Sequence, residues 1–203
     1  MADSKSSNIA EMISMNQFEY DDIGDISIVD KRMFNKFTST GSSSYAPGQK
    51  INFKFPNDSE WIFGPTSYLT FEMKVTTTDA NFGAGSAMNL VNEVQLKNGK
   101  LIEKVENKNV ISGIIDRHTL SKNTLETSAS IEGFEYGSAG ADITAGDTHQ
   151  FVIPLSKLCG FFSNTSSVIP SWAIAGADFS IVLEAANVAL TSADGLATYT
   201  VNN

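Results

Sequence analysis

The sequence has very few of the residues on which enzymes and disulfide-stabilised domains depend. It contains one cysteine, Cys159, and two histidines, His118 and His149, among 203 residues. A single cysteine cannot form an internal disulfide, which excludes a disulfide-stapled secreted scaffold. The N-terminal residues lack the apolar core of a signal peptide, and no apolar run approaches the roughly 20 residues that span a bilayer. We therefore expect no transmembrane segment and a soluble chain made in the cytosol.

Basic residues are also scarce. The chain has 14 Lys and Arg against 23 Asp and Glu, a formal charge of −9. A protein groove that binds nucleic acid needs clustered Lys and Arg to contact the phosphates, so we expect no direct binding to a nucleic acid. All charged residues together make up only 18% of the chain, which leaves much of the surface to Ser, Thr, Asn and Gly. Such a surface suits close packing against other proteins.

The composition changes along the chain. Residues 1–44 are polar and rich in Ser, Asp and Asn, which predicts an N-terminal arm that is partly flexible. Residues 45–203 are long enough to bury a core and are predicted to form one domain.

Short runs with β-branched and aromatic residues fill this domain, separated by Gly, Pro, Asn and Asp, as is typical of antiparallel β-structure. The clearest alternation places Leu69, Phe71, Met73 and Val75 on one face. The pair Asn98-Gly99 predicts a tight hairpin turn between two of the strands. Eight strands are predicted, at 49–55, 67–77, 89–96, 100–105, 125–134, 148–155, 177–186 and 197–201.

One stretch has helical spacing instead. Val110, Ile111, Ile114 and Ile115 recur at three- and four-residue intervals and predict a helix over 108–122. A short helical turn is predicted in 156–162. Eight strands with connections of uneven length predict an all-β fold, an eight-stranded antiparallel jelly-roll sandwich with one short helical excursion.

Seven segments within roughly residues 50–187 carry a recognisable pattern. They are Thr66-Ser67-Tyr68-Leu69-Thr70-Phe71-Glu72, Leu90-Val91-Asn92, residues 96–105, Phe151-Val152-Ile153-Pro154-Leu155-Ser156, Gly160-Phe161-Phe162, Val168-Ile169-Pro170 and Ile181-Val182-Leu183-Glu184. In order and spacing they resemble the first jelly roll of the double-jelly-roll major capsid proteins of virophages and Polinton-like viruses. The resemblance implies a jelly roll, trimeric capsomers and an icosahedral shell.

The length departs from this pattern, because those proteins carry two jelly rolls and this chain has room for one. Three interpretations stay open: a single-jelly-roll capsid protein, a penton-type minor protein, or a fragment of a double-jelly-roll chain. Capsomers could accordingly be trimers or pentamers.

None of the candidate reactive groups has the neighbours that its chemistry requires. The two histidines are too far apart in the sequence for a metal motif of the cupin kind. Cys159 lies among Leu158, Gly160 and Phe161, which predicts a small buried residue and not a nucleophile. We expect no catalytic, cofactor or metal site.

Two further groups have ordinary interpretations. The carboxylates of Glu19, Asp21, Asp22 and Asp25 lack the spacing of a calcium loop and are interpreted as a solvated acidic segment. The Gly83-Ala84-Gly85 run is interpreted as a loop, because it has none of the context of a phosphate-binding motif.

Three aromatic residues, Trp61, Phe63 and Trp172, are the candidate functional residues. Trp side chains are enriched where proteins contact each other, and they also stack on sugars. The leading hypothesis is a non-enzymatic capsid subunit that self-assembles with identical or homologous subunits and other capsid proteins into an icosahedral virion, and that is made in the host cytoplasm. The alternative is a carbohydrate-binding β-sandwich at a virion or cell surface.

Overall fold

The structure, a computed structural model, describes residues 35–55, 61–82, 85–121, 123–124, 131–133, 142–163 and 168–202. The elements below belong to the second of the chain's two units, Phe37–Asn203. The elements with described bounds are ten strands and three α-helices. The strands are β1 Ser44–Tyr45, β2 Lys50–Lys54, β3 Trp61–Phe63, β4 Tyr68–Thr76, β5 Val91–Asn98, β6 Lys100–Val105, β7 Thr148–Pro154, β8 Val168–Pro170, β9 Asp178–Leu183 and β10 Thr198–Asn202; the helices are α1 Lys108–Thr119, α2 Leu155–Leu158 and α3 Ala186–Ala189.

The strands pair as one long hairpin that has been rolled up. Strand β1 pairs with β10, β2 with β9, β3 with β8, β4 with β7 and β5 with β6, all antiparallel. Rolling adds the contacts of β10 with β4 and of β9 with β5. The result is two four-stranded sheets, ordered β1-β10-β4-β7 and β2-β9-β5-β6, with β3-β8 as an accessory ribbon. This nesting is the jelly-roll topology, and it confirms the predicted fold class.

The core lies between the two sheets. Strand β4 turns Phe71, Met73 and Val75 inward, and β9 turns Phe179 and Ile181 inward from the facing sheet. This is the period-2 pattern of a sheet with one buried face, so the predicted alternation in 67–77 is confirmed. Packed rings extend the core at one end, with Phe55, Phe162 and Phe179 in contact.

The β5–β6 hairpin is also confirmed, with one difference at the turn. Only Gly99 has a positive φ, of +64°, and Asn98 pairs directly with Lys100. A register shift between Leu96 and Lys97 accommodates this tighter connection. The turn therefore depends on the glycine and not on both residues of the Asn-Gly pair.

The strand count differs from the eight that the sequence predicts. Strands β1, β3 and β8 were not predicted, because runs of two or three residues are too short to show an alternation. The predicted strand at 125–134 is wrong in its described part, where residues 131–133 form a tight 3-10 turn. Gly133 there has φ +76°, and a Cβ atom would lie 2.8 Å from the Phe151 ring. The remaining residues of that prediction lie outside the described residues.

The predicted N-terminal arm, 1–44, lies mostly outside the described residues, and its boundary stays a prediction. Its last described residues contact the sandwich. The Thr40 backbone N–H donates to the Asn52 carbonyl at 2.7 Å, and Ser44 of β1 pairs with Asn202 of β10. Within the part of the chain described, no helix is long and apolar enough to cross a membrane.

Candidate interaction surfaces

The three aromatic residues singled out in the sequence lie on the accessory ribbon and in the turn that directly follows its strand β8. Trp61 and Phe63 are two residues apart in β3 and so share a face, and they are 59% and 40% exposed. Their partners in β8 are Pro170 and Val168. Trp172, 67% exposed, follows directly in the 3-10 turn Ser171–Ile174.

The opposite side of this ribbon anchors it to the domain. Ile62 and Ile169 pair across the ribbon and pack, partly buried, against the core. Ile174 at the end of the following turn is buried. The aromatic side is therefore held outward by a fixed apolar base. Neither strand contains a charged residue, so the surface can serve a protein contact or stack against a sugar ring.

A second apolar surface lies on α1, and sequence reasoning did not identify it as a site. Val110, Ile111, Ile114 and Ile115 are 56%, 40%, 57% and 49% exposed. The predicted helix is confirmed, but an amphipathic helix on a soluble domain normally turns its apolar stripe toward the core. Here the stripe points outward.

Polar residues occupy the inner side of α1. Asn109, Ser112 and Asp116, spaced by three and four residues, are each less than 10% exposed. The Asn109 Nδ2 group donates at 3.0 Å to Oε2 of Glu184, the residue directly after β9. Asn107 turns the chain from β6 into α1 with a left-handed backbone, φ 52°, which asparagine tolerates. The spacing of these small polar residues is the sequence signal that could have revealed the reversed orientation.

A cation joins the other end of α1 to the sandwich. Lys157 Nζ in α2 lies 3.3 Å from Asp116 Oδ2 and 2.8 Å from Glu132 Oε2. Burial raises the pKa of Glu132, and the nearby Asp116 charge adds to this, while Lys157 opposes both. Two buried carboxylates thus depend on one lysine, and the triad fixes the helix to the structure beneath it.

Glu103 of β6 connects the same region to the turn after α2. Its carboxylate accepts hydrogen bonds from Cys159 Sγ at 2.9 Å, from the Gly160 N–H at 2.7 Å and from the Phe161 N–H at 2.8 Å. Burial alone would raise the pKa of Glu103. The three hydrogen bonds, with the charge of Lys108, outweigh burial and hold that pKa below its ordinary value.

Cys159 is buried, as the sequence predicted. Burial, together with the Glu103 carboxylate, raises the pKa of its thiol to about 12. The thiolate is the nucleophilic and metal-binding form, so this environment disfavours both kinds of chemistry.

The two histidines lie apart, His118 exposed on α1 and His149 in β7 with its ring stacked on Phe151. Among the described residues, no group of three or more His, Cys, Asp or Glu side chains could hold a metal ion. The acidic segment with Glu19, Asp21, Asp22 and Asp25 lies outside the described residues, as do Gly83 and Ala84.

Three loops at one end of the sandwich form an acidic surface. They are residues 77–82, 142–147 and 190–197, which contain Asp79, Asp142, Asp147 and Asp194, all exposed, and no Lys or Arg. Backbone bridges join Ala80 to Ile143 and Asn81 to Thr191. The Ala145 N–H donates to Asp79 at 2.7 Å, and Thr78 Oγ1 donates to Asp194 at 3.1 Å. These bonds and bridges join the three loops that carry the four carboxylates.

No family model and no curated protein matches the sequence, whereas solved structures of viral capsid proteins are similar to this chain in three dimensions. The chain is similar to VP54 of PBCV-1, as fitted into a cryo-EM reconstruction of the virophage Sputnik, with 16% identity and a TM-score of 0.50 over 85% of this chain. A chain of the quasi-atomic PBCV-1 capsid model matches at 16% identity and a TM-score of 0.46 over 84% of this chain, and 43% of its own length is covered. The STIV MCP matches at 14% identity and a TM-score of 0.35 over 81% of this chain and 46% of its own.

The similarity to VP54 shows the fold. It covers 44% of VP54, so this chain corresponds to less than half of that protein's length. The sequence resemblance to capsid jelly rolls is thus matched by a three-dimensional likeness.

Proposed function

We propose that this chain is a structural capsid subunit that self-assembles into an icosahedral viral shell. The observation that carries the proposal is the nested jelly roll, which shares its fold with VP54 of PBCV-1 over 85% of this chain. The subunit would act by burying complementary surfaces against its neighbours.

Two outward apolar surfaces support an assembly role. The ribbon exposes Trp61 and Phe63, the turn after it exposes Trp172, and α1 exposes four β-branched side chains. Exposed apolar patches of this kind mark contact sites on soluble proteins, and buried aromatic anchors supply much of the binding energy in protein interfaces. We propose the three aromatic residues as subunit contacts.

The proposed role is not enzymatic and requires no cofactor. It is supported by the buried Cys159, whose raised pKa disfavours the reactive thiolate.

The proposed partners are identical or homologous subunits, grouped as trimers or pentamers, together with other capsid proteins. The proposed location is the virion, after synthesis in the host cytoplasm. Native mass spectrometry of capsomers distinguishes a trimer from a pentamer. The mass of the protein in its particle tests whether it carries a second jelly roll, since that mass would be near twice the 21.9 kDa of this chain.

The test of the proposed function is assembly of the full-length chain. Light scattering and electron microscopy over a range of protein and salt concentrations should show concentration-dependent oligomers or shells. Monomers alone, at high concentration and across all salt conditions, would contradict the capsid role.

A second candidate function is carbohydrate binding, which the exposed side chains of Trp61 on the ribbon and Trp172 in the turn after it favour. A glycan-array screen separates the two candidates. Binding that is lost in Trp61→Ala and Trp172→Ala, by a chain that stays monomeric, would support the carbohydrate-binding role.

A further inference from the structure

The triad beneath α1 contains the three groups that an amide bond between side chains requires. These are an amine, a carboxyl group that the amine can attack, and a second carboxyl group that can carry protons. Lys157 Nζ lies 2.8 Å from Glu132 Oε2 and 3.3 Å from Asp116 Oδ2. Oδ2 is bonded to the Cγ carbon of Asp116, which is the atom that an amine attacks. The folded chain therefore holds the reacting nitrogen and carbon as neighbours.

The surroundings of the triad are largely closed to water. The side chains of Asp116 and Glu132 are 8% and 5% exposed. Gly133, next to Glu132, lies so close to the rings of Phe82 and Phe151 that a Cβ atom would be within 3 Å of both. Burial disfavours the charged forms of amines and carboxyl groups relative to their neutral forms. The neutral amine that attack requires is thus more accessible here than at the surface.

An exposed triad in the same chain shows what burial changes. Lys104 Nζ lies 3.2 Å from Glu93 Oε2 and also bonds Glu106, whose side chain is 62% exposed. Hydrogen bonds in that triad raise the pKa of Lys104 and lower the pKa of Glu106, so the proton stays on the lysine. In the buried triad, burial raises the pKa of Glu132. Glu132, the nearer carboxylate to Lys157, is therefore the group suited to accept its proton.

The elements that carry the triad are fixed by contacts outside it. Asn109, in the first turn of α1, donates to Glu184 at 3.0 Å and sets the side of the helix on which Asp116 lies. Glu103 accepts three hydrogen bonds from the turn directly after α2, the helix that contains Lys157. Both helices are thus positioned without help from the triad. Such positioning reduces the entropy that a reaction between the two side chains must lose.

We propose that Lys157 and Asp116 become joined by an isopeptide bond, with Glu132 as the proton relay. The Lys157 ammonium group passes a proton to Glu132, and the neutral amine attacks Cγ of Asp116. A C–N bond forms and one C–O bond of Asp116 breaks. The departing oxygen leaves as water with two protons that came from Nζ, and Glu132 returns to its carboxylate form. The step needs no oxidant, reductant or other reactant.

The bond ties α1 covalently to α2. Its two residues are 41 positions apart, so it closes a long loop and restricts the unfolded chain. The ion pairs hold the unlinked chain, and the bond then adds to their stabilisation. Each chain reacts once with itself, which is compatible with a non-enzymatic role. The inference goes beyond the proposed capsid function and does not rest on it.

The experiment is intact-mass spectrometry of the purified full-length chain under denaturing conditions. We expect a mass about 18 Da below that of the sequence, because one water is released. Trypsin should then leave residues 109–117 joined to residues 123–203, since a lysine in an amide bond is not cleaved and residues 158–203 contain no Lys or Arg. An unlinked chain yields residues 109–117, 123–157 and 158–203 separately.

Four variants separate the roles of the residues. Lys157→Arg keeps the charge but not the amine, and Glu132→Gln keeps the size but not the proton relay, so both should have the full mass of their sequences. Asp116→Asn should lose about 17 Da, because attack on its amide releases ammonia instead of water. Lys104→Arg, in the exposed triad, is the matched control and should lose about 18 Da like the unaltered chain. Circular dichroism establishes that each variant is folded.

The mass of the unaltered chain decides the question even where a variant does not fold. The full mass of its sequence, unchanged after days of incubation, would overturn the inference. So would a loss of water that persists in Lys157→Arg, or a branched peptide joined through Glu132 or Lys104. Loss of water without any branched peptide, as when an aspartate cyclises onto its own backbone, would overturn it as well. The capsid role is tested separately by assembly and stands or falls independently.

Discussion

Strand β4 and helix α1 both carry a regular apolar face, and the structure uses the two faces in opposite ways. In β4 the side chains of Phe71, Met73 and Val75 are at most 9% exposed. In α1 the apolar side chains are 40–57% exposed, and Asn109 and Asp116 point inward instead. A periodic pattern therefore identifies an element with two different sides, but it does not establish which side is buried.

The physical reason is the chemical nature of the residues that contact the inner side of each element. Strand β4 faces the second sheet, whose inner side chains are apolar, so burial of the matching face is favourable. The inner side of α1 meets the carboxylate of Glu184 and the cation of Lys157. Buried polar groups need partners, so polar residues on the helix are favoured there.

The largest effect is expected from shortening the inward face of β4. Met73→Ala should lower the free energy of unfolding by about 2–5 kcal/mol, because it leaves a cavity at a side chain with no exposure. Chemical denaturation with fluorescence detection measures this. A loss below about 1 kcal/mol would mean that the core relaxes around the cavity. The difference in stability contribution between the buried face of β4 and the exposed face of α1 would then be smaller than their exposures imply.

The next effect is expected beneath α1. Lys157→Ala removes the cation between Asp116 and Glu132 and leaves two buried carboxylates facing each other. We expect a loss of about 2 kcal/mol, less than for a fully buried pair, because the Lys157 side chain is 24% exposed. Lys104→Ala, which breaks a surface bridge to Glu93 and Glu106, is the control and should change stability little. Equal losses of stability in both variants would show that the triad of Asp116, Lys157 and Glu132 stabilises the fold no more than the surface ion pairs of Lys104 do.

The Glu103 contact predicts a pH dependence. Its folded pKa lies below the ordinary value, so the stability it provides is fully present above the unfolded pKa and is lost as the pH falls through the folded pKa. Glu132 has a raised pKa and acts in the opposite direction, since its charged form is disfavoured in the folded state. Between about pH 6 and pH 3, the melting temperature should therefore fall less steeply with decreasing pH in Glu103→Gln than in the unaltered chain. An identical pH profile in both would contradict the role of the three hydrogen bonds.

The smallest effect is expected on the outer side of α1. Ile114→Ala should change the unfolding free energy of the isolated subunit by no more than about 0.5 kcal/mol, because the side chain is largely exposed and alanine favours a helix. Denaturation at a concentration where the chain is monomeric is the measurement. A loss like that of Met73→Ala would mean that the stripe packs within its own subunit.

The sequence allowed the residues of the candidate aromatic site to be predicted, but not their positions in the fold. Trp61, Phe63 and Trp172 were recognisable as candidate contacts by their type alone. Their grouping depends on the pairing of β3 with β8, two strands of three residues that lie far apart in the sequence. Strands this short show no alternation of apolar and polar residues. Along the nested hairpin, their pair lies between the pairs β2–β9 and β4–β7, which hold the two chain segments side by side.

The amino-acid sequence by itself determined the long strands β4 and β9, the β5–β6 hairpin and the existence of α1. Local periodicity and turn chemistry act over a few residues and are visible in them. The tertiary structure alone decided the formation of the short strands β1, β3 and β8, the replacement of a predicted strand near residue 131 by a turn around Gly133, and the reversed orientation of α1. These features depend on contacts between residues distant in the sequence, where the partner that a side chain meets decides whether its burial is favourable.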